Sequence, residues 1–311
     1  MRKRIKIDFW DFWPTFDRYD NYFTRLLAQR FDLEISDQPD YVFFSCFGKR
    51  YRKFDGTRIF YGGENTRPEL LECDYSLAFD YWPNQPRHLR LPYYAQALKA
   101  EDLLMPSVSA EEILASKTKF CNFVFSNPYC KRRNSFFEKL SKYKRVDSGG
   151  RHLNNIGGPV DDKLEFQKDY KFSIAFENSA FPGYLTEKLP EAVIAQTLPI
   201  YWGDKLVHRD FNTARFLNYP DFGSDEALLE RVIELDNDDE QYLEFLRQPL
   251  FYDNKPNGSY DKEKILDFFE SIFDSSHTPV AQRPVLKACF QAKRVVRDIR
   301  KMPQRLMRKV A

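Results

Sequence analysis

The stretch Tyr170–Gly203 constrains this chain more than any other. Lys171–Phe176 is an apolar run of strand length, Thr186–Gln196 reads as a helix, and Leu198–Trp202 is a second apolar run. A strand, a helix and a strand joined by short connections form a βαβ unit, and a right-handed crossover makes the two strands parallel. Pro190 falls close enough to the helix start to be tolerated. A chain built around such a unit is an α/β protein. In open α/β sheets, ligands bind outside the carboxyl ends of the strands. Here that position holds Glu177 and Asn178.

The rest of the chain extends the same pattern. Lys3–Trp10 largely alternates, as a first strand should, and Phe16–Phe31 carries Tyr22, Phe23, Leu26 and Leu27 at helical spacing. Leu33–Ile35, Tyr41–Cys46, Arg58–Tyr61 and Tyr75–Phe79 are further strand-like runs. Ala110–Lys119 is less apolar and is the candidate link to a second layer. That layer opens with the strand Phe120–Phe125 and the amphipathic helix Asn134–Tyr143, and Asp261–Phe273 is a late amphipathic helix. At 311 residues the chain has room for two domains, and 42% hydrophobic with 30% charged residues excludes disorder throughout. The expected architecture is two α/β layers either side of a cleft, spanning 1–115 and 116–280, with a tail over 281–311.

The tail is where the charge lies. From Arg283 onward ten Lys/Arg face one acid, Asp298, a net +9, which leaves −7 for the remainder of a chain whose total is +2. A weakly acidic body excludes a nucleic-acid-coating protein and points to one localised anionic partner. Val285, Cys289, Ala292, Val296 and Ile299 fall on one helical face, with Lys287, Lys293, Arg294, Arg297, Arg300 and Lys301 on the others. A basic amphipathic helix of this kind lies on an anionic membrane surface; an oligomerisation helix and a disordered basic tail are the alternatives. The five cysteines are odd in number and scattered, so neither a disulfide framework nor a thiolate metal cluster is expected. The basic start Met1–Arg4 is not followed by an apolar signal core, and no run approaches a bilayer span.

Three polar clusters can carry chemistry. In the first, Glu187 and Lys188 stand in the first turn of the helix that Thr186 would cap. Glu187 suits the helix dipole there, whereas Lys188 does not unless it faces an anion such as a diphosphate. In the second, Gly62-Gly63-Glu64-Asn65 follows a strand, so Glu64 can serve as a general base. In the third, Lys131-Arg132-Arg133 opens a helix and can clamp phosphate. The bland alternatives are a solvated lysine, a turn acid and a solvated charge run. Asp236-Asn237-Asp238, the clearest Asp-x-Asp string, reads as the start of a helix, and the four histidines show no metal-ligand spacing.

Taken together, Phe176-Glu177-Asn178, Tyr184-Leu185-Thr186-Glu187-Lys188 and Pro199-Ile200-Tyr201-Trp202-Gly203 resemble the signature of the α-1,3/4-fucosyltransferase family. Phe60-Tyr61-Gly62-Gly63-Glu64-Asn65 resembles the segment holding that family's general base. Leu91-Pro92-Tyr93-Tyr94, and Ser126-Asn127-Pro128 with Arg133-Asn134, resemble it in the same order. The resemblance implies two Rossmann-like domains facing across a cleft in a GT-B type, inverting transferase that moves L-fucose from GDP-fucose to a hydroxyl, O3, of GlcNAc in a glycan such as N-acetyllactosamine or a surface polysaccharide. It implies an acceptor-binding first domain and a GDP-fucose-binding second domain. Glu64 would deprotonate the acceptor, Arg133 and Lys188 would balance the leaving diphosphate, and Asn178, Tyr184 and Glu187 would contact the nucleotide or the fucose. No metal or other cofactor is required on this reading, which leaves room for non-essential stimulation by Mn²⁺ or Mg²⁺. The interdomain segment around Leu103–Lys117 is short, which leaves acceptor choice open. The expected setting is a bacterial, cytoplasmic enzyme held at the inner face of the membrane by its tail. The alternatives are a metal-independent transferase of another nucleotide sugar and a non-catalytic, membrane-tethered glycan- or nucleotide-binding protein.

Overall fold

A computed structural model describes residues 2–285, 288–289 and 292–293. Its contacts divide the chain into two compact units. Among the described residues, the first comprises those up to Ala78, Trp82–Leu91 and those from Asp261 on, and the second comprises Phe79–Tyr81 and Pro92–Tyr260.

The first unit contains β1 (Arg4–Trp10), α1 (Tyr22–Leu27), β2 (Asp32–Ile35), β3 (Tyr41–Phe44), β4 (Thr57–Tyr61), β5 (Tyr75–Ala78) and β6 (His88–Arg90). The strands form one sheet in the order β2-β1-β3-β4-β5-β6, and every pairing is parallel. Helix α1 is shorter than the periodicity predicts. The Asn21 side chain accepts from the N–H groups of Phe23 and Thr24, and Thr24 bonds back to the Asn21 N–H, so the helix starts there. Upstream, the Asp17 carboxylate accepts from the Tyr19 and Asp20 N–H groups at 2.7 and 3.2 Å. That local turn competes with helix.

The second unit contains α2 (Tyr93–Ala97), α3 (Ala110–Ala115), β7 (Lys119–Phe123), α4 (Lys131–Leu140), β8 (Val146–Ser148), α5 (Lys163–Gln167), β9 (Tyr170–Phe176), α6 (Lys188–Ile194), β10 (Leu198–Trp202), β11 (Leu217–Asn218), α7 (Asp225–Asn237) and α8 (Asp239–Leu246). Its strand order is β11-β10-β9-β7-β8, again all parallel. The β9–α6–β10 unit is present, with Leu198 opposite Phe172 and Trp202 opposite Phe176. Phe123, Phe136, Phe172, Phe176, Ile200 and Leu228 lie in one continuous buried core.

The domain limits differ from those expected. The expected linker around Ala110 is helix α3, capped by Ser109 and Glu112, and its Ile113 is buried in the core of the second unit. The helix α9 (Lys262–Phe273) belongs to the first unit. Phe269 packs on Phe23 and Phe43, and Phe273 on Phe31 and Tyr41, with ring centroids 4.7–6.2 Å apart. Arg30 forms ion pairs with Glu263, Asp267 and Glu270. An apolar helix face must be covered, and the aromatic face of the first sheet covers this one. The amphipathic reading of the tail falls for the most part outside the described residues. Among the described residues no helix is long and apolar enough to cross a membrane. All five cysteines are free thiols.

Each sheet has a switch point, where successive connections leave a central strand in opposite directions. In the first sheet it lies between β1 and β3, and in the second between β7 and β9. Ligands of open α/β sheets bind outside the carboxyl ends of the strands at such a point.

Candidate active site

At the second switch point β9 ends in Phe176 and delivers Glu177 and Asn178, and β7 runs on to Ser126 and Asn127. Glu177 is fully buried. Its Oε1 accepts from the Thr186 N–H at 2.7 Å and the Thr186 hydroxyl at 2.8 Å, and its Oε2 accepts from Lys188 Nζ at 3.1 Å. Thr186 is therefore engaged by Glu177, and the first helical residue of α6 is Lys188, with Glu187 as the residue before it. The approach depends on Gly203, at the end of β10. A Cβ there would lie 2.5 Å from Glu177 Cγ and 2.7 Å from the Tyr201 hydroxyl, closer than atoms can pack.

Lys188 also donates to Thr186 Oγ1 at 2.8 Å and lies 3.4 Å from Glu187 Oε1. Burial pulls its ammonium down, but the charges of Glu177 and Glu187 outweigh this and hold it well above the usual lysine range. Burial pushes the Glu177 carboxyl up, with Lys188 opposing. Burial also pushes Glu187 up, but Lys188 and Lys163 overcome it and hold the group below its ordinary value. The sequence reading aimed Lys188 at an anion. The structure gives it two carboxylate partners, Glu177 and Glu187, which hold it in position.

Arg133 is 0% exposed, so the solvated charge run, the alternative to a phosphate clamp, does not hold for it. Helix α4 starts at Lys131, which places Arg133, Phe136, Phe137 and Leu140 on one buried face. The guanidinium stacks over Phe125 at 3.9 Å, donates to Asn178 Oδ1 at 2.9 Å and to the Asn127 carbonyl at 2.6 Å, and leaves its buried Nε without a partner. Burial lowers its proton affinity, with the Glu177 charge opposing. Arg133 thus fixes the half-buried Asn178 at the sheet edge. Tyr184 is buried, its ring edge-on to Phe79 at 5.2 Å.

The second unit therefore gathers Arg133, Asn178, Tyr184, Glu187 and Lys188 at one strand edge. The sequence reading missed the anchoring role of Glu177 and Thr186. The signal for it was the shared strand-end position of Glu177 and Gly203, which only the pairing of β9 with β10 brings together. Glu64 belongs to the first unit, past the end of β4, and is exposed. Its carbonyl accepts from the Thr66 N–H at 2.6 Å. The neighbouring Cys46 thiol is pushed up by burial first, and the Glu64 charge pushes it the same way.

Both acids of the Asp-x-Asp string serve the fold. Asp236 pairs with Lys144 and accepts from the Tyr143 hydroxyl, each at 3.0 Å, and Asp238 caps α8. Among the described residues no three His, Cys, Asp or Glu are grouped to hold a metal ion.

A family model described as the alpha-(1,3)-fucosyltransferase FucT N-terminal domain matches residues 7–97. A second, described as glycosyltransferase family 10 (fucosyltransferase) C-term, matches residues 114–269. The chain is 32% identical over 297 residues to the alpha-(1,3)-fucosyltransferase FucT of Helicobacter pylori, covering 80% of this chain and 61% of that protein. It is 32% identical over 138 residues to the human 3-galactosyl-N-acetylglucosaminide 4-alpha-L-fucosyltransferase FUT3, covering 43% and 38% of the two. The chain thus spans about three fifths or less of these curated relatives. A crystal structure of an alpha1,3-fucosyltransferase with GDP-fucose superposes with a TM-score of 0.77 at 28% identity, over 89% of this chain and 92% of that one.

Proposed function

The chain belongs to glycosyltransferase family 10, the fucosyltransferases, and from that premise we propose that it transfers L-fucose from GDP-fucose to O3 of GlcNAc in a glycan, with inversion. The observation that carries the reading is the cluster of Lys188, Glu187, Glu177, Arg133 and Asn178 at the second switch point. It supplies what a departing nucleoside diphosphate needs: cations fixed before the reaction, in surroundings that exclude much of the water. Lys188 exchanges part of its pairing with Glu187 for the diphosphate, Asn178 and Glu187 take donor hydroxyls, Tyr184 lines the donor side, and Arg133 acts as a buried positive charge beneath the leaving group.

Glu64 accepts the proton of the attacking acceptor hydroxyl as the bond to the anomeric carbon forms and the bond to GDP breaks. In-line displacement needs one base, and Glu64 takes that role on this reading. On this reading the reaction needs no divalent metal, because protein cations meet the leaving charge. The named activities of the Helicobacter and human relatives support α-fucosylation of GlcNAc-containing glycans. N-acetyllactosamine or a bacterial surface polysaccharide such as a lipopolysaccharide glycan is the proposed acceptor. For the tail, the sequence-level charge of +9 supports peripheral attachment to the anionic inner face of a cytoplasmic membrane.

Donor choice tests the reading directly. Isothermal titration with GDP-fucose, GDP, UDP-sugars and a CMP-sugar should show binding of the two guanosine compounds alone. Preference for a uridine or cytidine sugar would replace fucose as the transferred group.

A further inference from the structure

The first sheet has a switch point of its own, and none of the roles above uses it. The loops that leave β1 and β3 meet there and are locked together. The carboxylate of Asp11 accepts from the N–H groups of Arg50 and Tyr51 at 3.0 and 2.8 Å, and its carbonyl accepts from the Phe47 N–H at 3.0 Å. Asp11 adopts a left-handed φ of 59° to do this, a strained conformation for a residue with a side chain. Gly48 makes room for it, since a Cβ at that position would lie 2.1 Å from Asp11 Oδ1. A rigid frame of this kind needs a reason, and what it holds up is aromatic.

Phe47 is 49% exposed and Trp13 is half-buried, edge-on to it with centroids 6.2 Å apart. Behind them Trp13 meets Phe16 edge-on at 5.0 Å, Phe16 stacks on Phe12 at 4.1 Å, and Phe12 lies nearly parallel to Tyr61 at 6.2 Å. Tyr61 is the last residue of β4, three positions before Glu64. A second link runs the other way: Cys46, next to Phe47, lies within reach of the Glu64 charge. The exposed rings and the proposed base therefore share one edge of one sheet and are tied by two short routes.

We propose that Trp13 and Phe47 form a sugar shelf that takes the apolar face of a pyranose of the acceptor glycan other than the one that reacts. The inference rests on the fucosyltransferase reading for the identity of the glycan, and on the geometry of the first unit for the place. One face of a galactose-type ring carries C–H bonds only, which pack on an aromatic ring as another apolar group would, while its hydroxyls stay at the wet rim. Two rings held by a pre-formed frame lose little freedom on binding. The shelf makes the enzyme read a chain of sugars, not an isolated GlcNAc.

Saturation-transfer NMR on the whole protein with N-acetyllactosamine tests this, alongside calorimetry and melting curves. Wild type should show its strongest transfer on galactose ring protons. Phe47→Ala and Trp13→Ala should each lose that signal and weaken the disaccharide about tenfold, with GDP affinity and melting temperature held, and Phe47→Tyr should restore it. Undiminished galactose signals in both alanine variants, or no saturation transfer to the disaccharide in wild type, overturn the shelf. If wild type binds the disaccharide through the shelf but transfers no fucose, the shelf stands and the fucosyl reading falls.

Discussion

Lys188 carries two obligations at the scale of single residues. It faces the proposed diphosphate, and it is the counter-ion that keeps Glu177 charged in a fully buried position. Removing one partner of a buried pair costs about 3–5 kcal/mol, because the other charge is left uncompensated. Glu177 already holds its proton more tightly in the native chain than in the unfolded one. Stability from that group is therefore lost as pH rises through the native value. In Lys188→Met the opposing charge is gone from Glu177 and Glu187 alike, so the loss extends to higher pH. The variant's melting temperature should fall steadily from pH 5 to pH 8 while wild type stays flatter; parallel curves would mean the pair is not coupled as described. The positions of Glu64, Asn178 and Lys188 were legible because each follows a strand or opens a helix. The burial of Arg133 was not legible, because the expected amphipathic helix began at Asn134. Begun at Lys131, the same residues put Arg133 three, four and seven positions ahead of Phe136, Phe137 and Leu140, on the buried face.

Among the elements, α9 shows what a pattern can and cannot reveal. Its amphipathic period was readable, and Asp261 caps it where expected. Its partner was not readable, because the rings of Phe23, Phe31 and Phe43 lie more than two hundred residues away in the chain. Strands β6 and β11, of three and two residues, are too short for any period to register. The return of α9 has a measurable consequence. It buries Ile265, Leu266, Phe269, Ile272 and Phe273. At about 1.5–3 kcal/mol for each such side chain, that is comparable with the whole stability of a domain, about 5–15 kcal/mol. A chain ending at Tyr260 should lose cooperative unfolding of the first unit. A chain ending at Gln282 keeps Val280, whose N–H donates to the buried Asp74 at 2.7 Å, and should melt within a few degrees of the full protein. Equal melting of both truncations would contradict the assignment of α9.

For the whole molecule, the α/β class and the presence of two α/β layers followed from the order and spacing of strands and helices, since parallel strands require covering helices and crossovers. The division between units did not follow, because a linker and a short solvated helix share a composition: Ala110–Ala115 carries two glutamates yet turns Ile113 into the core. The account assigns the leaving-group cations to the second unit and the base to the first, and it stands or falls on Glu64. The measurement that addresses it most directly follows GDP-fucose and N-acetyllactosamine by proton NMR, with wild type and with Glu64→Gln, in excess EDTA. Wild type should form an α-fucoside from the β-linked donor. The variant should bind GDP-fucose as wild type does while its turnover falls by about 10²–10⁴-fold. Near-normal turnover in Glu64→Gln, or a β-fucoside from wild type, would contradict the account.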